Sequence, residues 1–346
     1  MAPSTNTRVL RAKHIAKDEA FSKDDLKIVH VEFDATLNEG EILVRNLYLS
    51  LDPYTRFSFE KDGDRAAAPL DTVVSGFGVA EVIASKSSAF PVSSIVLGST
   101  IGWEQYSRHS NLQGFFIIPD AHNPKIALAN YLNILGMNGL TAFAAVDSLV
   151  KFHKDQVVYV PSAAGPVGSF LCFLAKRDGA FVIGSAGSEE KIQYLLRDIG
   201  VDYAFNYKTQ DSRAELYKAA SEGVDIYFDL VGGETLDIAI EKLKSEGQII
   251  TIGNISQSGA APYVMKNWSQ FIFKSLRMNG FTVFKHLDKF PRLWKEIGPL
   301  VAEGKFKSQQ LTIVKGVERT SSVYQDYLDG KYFGKVVIEV AALQEE

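Results

Sequence analysis

The spacing of apolar residues along this chain changes period after its first third. Up to that point the apolar positions fall in short β-branched runs, "EILVRNLYLSLD", "VVSGFGVAEVIAS" and "SSIVLGSTIGW", which Gly, Ser and Pro separate into predicted strands. From "NYLNILGMNGLTAFAAVDSL" onward, helical periods alternate with apolar runs. "QVVYVPSA" reads as a strand and "GPVGSFLCFLAKRDG" as a helix ending at Gly179. "AFVIGSAG" is the next strand and "SEEKIQYLLRDIG" the next helix, with Ser188 as N-cap ahead of Glu189 and Glu190. "YAFNY", "VDIYFDLVGG" and "GQIITIGN" supply further strands, with the helix "TLDIAIEKLKSEG" between the last two. After a helix over "DKFPRLWKEIGPLVAEGK", strands return at "QQLTIVKG" and "GKVVIEV".

Such alternation builds a parallel sheet covered by helices on both faces. The expected fold class is α/β, a doubly wound Rossmann sheet inserted in a β-rich domain. The β-rich part is expected over residues 1–132, the Rossmann part over 133–308, and the return to the first domain over 309–346.

Composition narrows the partners. With 346 residues the chain suits two domains, and 46% apolar with 23% charged residues is an ordinary globular balance. A formal net charge of −4 gives no basic footprint for nucleic acid or an anionic membrane. No apolar run reaches the roughly 18 residues of a membrane span, and the start has no apolar core of signal-peptide type. The single cysteine, Cys172, excludes an intramolecular disulfide and suits a reducing compartment, so the cytosol is expected. The histidines His14, His30, His109, His122, His153 and His286 show no paired ligand spacing, and no metal site is expected. Hydrolase and kinase chemistry lacks its G-x-S-x-G, H-E-x-x-H or Walker residues.

The turn "SAAGPVG" carries candidate chemistry. The dinucleotide fingerprint G-x-G-x-x-G reads here Ala163-Ala164-Gly165-Pro166-Val167-Gly168, with alanine in the first glycine's place. Gly165 would let the backbone approach a pyrophosphate, Gly168 would let the helix pack close to the strand, and Pro166 suits a helix start. The free N–H groups and positive dipole end of that helix favour phosphate. Such a turn can also bind nothing, but the strand before it, the helix after it and the further β/α units favour a dinucleotide. The next strand ends in Gly184-Ser185-Ala186-Gly187, small and neutral, with Ser188 and Lys191 following. An NAD site places a carboxylate there for the ribose 2′-hydroxyl, whereas small residues, hydroxyls and a lysine accept a 2′-phosphate. By spacing alone Lys191 reads as a solvated surface residue. Taken with the neutral strand end, it makes NADP(H) the expected cofactor.

Six stretches occur in order: "GEILVRNLYLSLDPYTR", "GMNGLTAFAAV" leading into the turn, "GSAGSEEK", "FNYK", "YFDLVGGE" and "LRMNGFTV". With them the chain resembles the zinc-independent medium-chain dehydrogenase/reductases over nearly its whole length. Within these it is similar to the alkenal/alkenone double-bond reductases, the group of prostaglandin, leukotriene and plant alkenal reductases. The resemblance implies a GroES-like catalytic domain around the Rossmann domain and a homodimer made by pairing Rossmann sheet edges. It implies that Gly165, Pro166, Val167 and Gly168 hold the pyrophosphate, and that Gly187, Ser188, Lys191 and Tyr207 lie near the adenosine 2′-phosphate. It also implies that Ile252, Gly253, Ile255 and Ser256, with Phe281, Thr282 and Val283, line the nicotinamide. Three positions depart from the family pattern. Leu230 and Tyr332 stand where asparagine is frequent, and Ser258 stands where the family carries its catalytic-site tyrosine.

Without a metal, hydride can still be transferred to a substrate that is already electrophilic. In an α,β-unsaturated aldehyde or ketone the β-carbon accepts hydride, and the charge moves to the carbonyl oxygen as an enolate that a hydrogen-bond donor stabilises. Tyr54 of "LDPYTR", which the resemblance places at the cleft, is the first candidate donor, and Tyr263 near the lost tyrosine is the second. Arg56 is expected to anchor the loop. The expected activity is NADPH-dependent reduction of the carbon–carbon double bond of apolar enals and enones. The alternatives are an NADPH-dependent quinone or carbonyl reductase, and a dinucleotide-binding sensor without turnover.

Overall fold

The computed structural model describes residues 4–63, 66–257, 263–307 and 311–343. The chain forms two compact units, one of residues 1–136 with 310–346 and one of residues 137–309.

In the first unit, β1 (Thr5–Arg11) and β2 (Leu26–Glu32) form an antiparallel ribbon. They are followed by β3 (Ile42–Ser50), β4 (Ser75–Ser85), β5 (Ile95–Gly102), β6 (Tyr106–His109) and β7 (Phe115–Ile117). β-Branched and aliphatic residues such as Val44, Leu49, Val82, Val96 and Ile101 bury one core together with Trp103.

The second unit opens on helix α1 (Met137–Leu149). Its strands are β8 (Val157–Val160), β9 (Phe181–Ala186), β10 (Tyr203–Asn206), β11 (Val224–Asp229), β12 (Leu243–Thr251) and β13 (Arg277–Gly280). All pair in parallel, in the order β10-β9-β8-β11-β12-β13. That is the doubly wound Rossmann order, whose reversal between β8 and β11 opens a crevice at the carboxyl ends of the strands. The connecting helices are α2 (Pro166–Arg177), α3 (Glu189–Tyr194), α4 (Ser212–Ala219), α5 (Gly233–Lys242), α6 (Gln270–Phe273) and α7 (Phe290–Ala302).

Two differences from the sequence reading fall in the Rossmann sheet. The helix expected to run to Gly247 ends at Lys242, because Leu243 is extended and buried in the sheet core. Lys244 then pairs with Asp225 at 2.8 Å and the strand register shifts past a bulge. β13 was not expected as a strand; all four of its residues are exposed, so no buried period marks it.

The chain returns to the first unit with β14 (Leu311–Lys315), α8 (Thr320–Leu328) and β15 (Lys335–Glu339). β15 pairs antiparallel with β3, giving a sheet ordered β14-β15-β3-β4-β5-β7 with β6 also beside β3.

Candidate active site

β8 passes into α2 through a turn that backbone geometry closes. Ser162 takes φ 50°, its carbonyl accepts the Gly165 N–H at 2.9 Å, and the Ala163 N–H reaches Ser185 O at 2.9 Å. Gly165 is the extended N-cap of α2 and Pro166 its first residue; no side chain caps the helix. The N–H groups of its first turn therefore retain their affinity for an anion. A Cβ on Gly168 would lie 2.5 Å from Ser162 O and 2.8 Å from Ala163 Cα, so only glycine lets the helix approach the turn this closely. On Gly165 it would lie 3.1 Å from the same carbonyl.

The end of β9 is built differently. Ser188 caps α3 by accepting the Lys191 N–H, and Glu189 is engaged by Gln193 at 2.7 Å on the exposed helix face. Tyr207 and Lys208 fold back over Gly187, where a Cβ would come within 2.9 Å of the tyrosine hydroxyl and 3.1 Å of Lys208 Cε. Burial and the charge of Lys208 lower the pKa of Lys191. Lys208 is a residue the sequence reading passed over, and its place in "FNYK" beside Tyr207 was the available signal.

The turns after β11 and β12 lie against each other. Asp229, buried with a raised pKa, accepts from Gly232 N–H at 2.8 Å and from the Tyr227 hydroxyl at 3.0 Å. Its carbonyl accepts from Ile252 N–H at 2.8 Å and Gly253 N–H at 3.0 Å. Ser256 anchors through N–H and hydroxyl to Val231 O, at 3.0 and 2.7 Å, which leaves Ile255 exposed. Beyond β13, Phe281 stacks on His286 at 4.9 Å, followed by half-buried Thr282 and buried Val283. Leu230 and Tyr332 are half-buried, the latter packed on the core of the first unit, and Ser258 lies outside the described residues.

The two tyrosines expected as donors differ in their surroundings. Tyr54 is half-buried on the 3-10 turn Pro53–Ser58, with its hydroxyl at the Phe77 backbone N–H. Burial, and then the charge of Asp52, push its phenol well above the ordinary range, so it keeps its proton. Tyr263 instead donates to Asp237 Oδ2 at 3.2 Å, on a buried carboxylate that also takes the N–H groups of Lys266 and Asn267. Its proton is thus committed to holding the 263–267 segment on α5. Arg56 is buried against Glu60 and donates to Lys17 O and Glu19 O, an anchoring arrangement. Among the described residues, no group of three His, Cys, Asp or Glu could hold a metal ion.

Residues 166–299 match the family model described as zinc-binding dehydrogenase, and residues 13–118 that of an N-terminal domain of oxidoreductase. The chain is 34% identical to an NADP(+)-dependent 2-alkenal reductase of Nicotiana tabacum, over 97% of this chain and 98% of the tobacco protein. It is 36% identical to prostaglandin reductase 1 of Mus musculus, over 88% of this chain and 90% of the mouse protein. The crystal structure of CurA from Vibrio vulnificus in complex with NADPH aligns with a TM-score of 0.86 at 27% identity, over 97% of this chain and 100% of that one. The chain belongs to the medium-chain dehydrogenase/reductases. Within that class it is a member of the NADP-dependent alkenal and enone double-bond reductases, the group its six motifs resemble.

Proposed function

We propose that this protein uses NADPH to reduce the carbon–carbon double bond of α,β-unsaturated aldehydes and ketones. The observation that carries the reading is the closure of Tyr207 and Lys208 over Gly187, beside Lys191, at a strand end without a carboxylate. Support comes from the similarity of nearly the whole chain to a 2-alkenal reductase.

The residues fit the cofactor. The N-terminus of α2 and the close turn at Gly165, Pro166, Val167 and Gly168 would hold the pyrophosphate. Gly187, Ser188, Lys191 and Tyr207 would hold the 2′-phosphate. Ile252, Gly253, Ile255, Ser256, Phe281, Thr282 and Val283 would border the nicotinamide. When bound, NADPH supplies the hydride that the β-carbon of the substrate accepts, and a proton from solvent at the α-carbon then completes the saturated product. Tyr54 donates a hydrogen bond to the substrate carbonyl oxygen, where negative charge collects. Its raised pKa keeps the donor protonated through that step. A neutral phenol thus does the polarising that a metal does in other dehydrogenases, and this reading needs no metal.

The test is an NADPH-oxidation screen over enals, enones and quinones with product identification. A saturated carbonyl product supports the reading. An allylic alcohol or hydroquinone as the sole product would replace it with a carbonyl or quinone reductase, and binding without turnover would make the protein a sensor.

The second unit also supports a homodimer. β13 is an edge strand with exposed residues, Met278 among them, and the segment leading to it carries the exposed apolar side chains Val264, Trp268, Ile272 and Phe273. Such an edge is a template for symmetric pairing with a second copy. Light scattering that finds a monomer at micromolar concentration would rule this out. No described helix is long and apolar enough to cross a membrane, and the buried Cys172 suits the cytosol.

A further inference from the structure

Asp52 stands at the N-cap of the 3-10 turn Pro53–Ser58 that carries Tyr54, yet its carboxylate makes no capping hydrogen bond there. An aspartate at this position ordinarily accepts from the first N–H groups of the turn. Here it is diverted to Lys335 on β15, whose Nζ contacts Asp52 Oδ1 and donates to Leu51 O at 2.9 Å. The lysine is fully buried and the aspartate nearly so. Ser50 donates to the other carboxylate oxygen, and the Tyr324 hydroxyl of α8 donates to Asp52 O at 3.2 Å. The residue two places before Tyr54 is therefore held through side chain and backbone by β3, β15 and α8. At the far end of the tyrosine, a Cβ on Gly76 of β4 would lie 3.4 Å from the hydroxyl.

Stability is a poor reason for such a pair. Desolvating two charges offsets most of their attraction, and replacing both partners by neutral groups of similar shape is often harmless. What a buried pair can supply is one specified arrangement. We propose that Asp52 and Lys335 are positioning residues for turnover, anchoring the turn from within the first unit so that the Tyr54 hydroxyl is presented in one place. The inference rests on Tyr54 being the donor to the substrate carbonyl oxygen.

Single substitutions would strand a buried charge and can fail to fold, so the informative variant is the neutral pair Asp52→Asn with Lys335→Met. It is compared with the parent and with Tyr54→Phe, using NADPH and crotonaldehyde. The expected result is a cooperative melt, unchanged NADPH affinity by fluorescence titration, a nearly unchanged KM, and a kcat lower by about tenfold to a hundredfold. Adding the neutral pair to Tyr54→Phe should then lower kcat little further, because all three changes act through one hydroxyl. Losses that multiply would overturn the inference, as would a neutral pair that keeps its kcat while Tyr54→Phe loses it; in both cases the donor assignment survives. A neutral pair without a cooperative melt would make the two residues a folding requirement, and the inference falls. If Tyr54→Phe alone is silent, the donor assignment falls and takes the inference with it.

Discussion

Tyr207 closes over Gly187 so tightly that a Cβ on the glycine would sit 2.9 Å from the tyrosine hydroxyl. The contact brings Lys208 to the same spot, and the charge of Lys208, after burial, lowers the pKa of Lys191. Two cations held together repel, and a bound dianion relieves that repulsion. Lys191→Ala and Lys208→Ala should each weaken NADPH binding by about 1–3 kcal/mol, the range for a hydrogen bond to a charged group, and leave NADH nearly unaffected. Fluorescence titration with both cofactors measures this. Equal losses for NADPH and NADH would remove the 2′-phosphate assignment.

Gly168→Ala should destabilise the protein even though alanine is the better helix former by roughly 1 kcal/mol. The added methyl would meet backbone atoms at 2.5 and 2.8 Å, and these cannot swing aside like a side-chain tip. Overpacking of that kind typically costs about 1–3 kcal/mol. Gly165→Ala meets its nearest neighbour only at 3.1 Å and should be the milder change. Thermal melts of the two variants, with and without NADPH, should rank them in that order.

His109 predicts an acid-sensitive first unit. Its Nε2 is buried without a hydrogen-bond partner, the ring lies 4.7 Å from Phe115, and burial pulls its pKa from 6.5 down to about 4. In the unfolded chain the imidazole takes up its proton near pH 6.5, whereas in the folded chain it stays neutral to about 4. Acid therefore favours the unfolded state, and as much as about 3 kcal/mol is lost between these two pH values. His109→Leu should retain more of its stability on acidification. Urea midpoints for parent and variant at neutral and mildly acidic pH decide it, and parallel losses would clear His109 of the effect.

The Rossmann block was legible because its strands are buried on both faces, so Val157–Val160, Phe181–Ala186 and Val224–Asp229 read as near-continuous apolar runs. β13 was not legible because an edge strand with every residue exposed carries no such run. The α5 boundary was misplaced because "KLKSEG" has good helical residues, and tertiary burial of Leu243 overrides that preference. Site chemistry was legible where backbone geometry demands a residue type, as at Gly168. It was not where meaning lies in a partner far along the chain. Nothing near Asp52 in sequence announces Lys335, and nothing near Tyr263 announces Asp237.

The two tyrosines then separate by what their protons do. Tyr54 carries a phenol held neutral by burial and by Asp52, on a turn fixed at both ends. Tyr263 donates its hydroxyl hydrogen to Asp237 Oδ2 at 3.2 Å, and redirecting it to a substrate would leave that carboxylate, among the described residues, with the backbone N–H groups of Lys266 and Asn267. Tyr54→Phe should therefore lower the rate of hydride transfer by roughly 10²–10³, as for losing one donor to a developing oxyanion. Tyr263→Phe should keep that rate within a few-fold of the parent and show its effect as a lower melting temperature. Single-turnover oxidation of NADPH by crotonaldehyde, followed with melts of the same preparations, tests both. A Tyr54→Phe enzyme as fast as the parent would end its candidacy. A Ser258→Tyr variant faster than the parent would then show that the family's donor was lost here and never replaced.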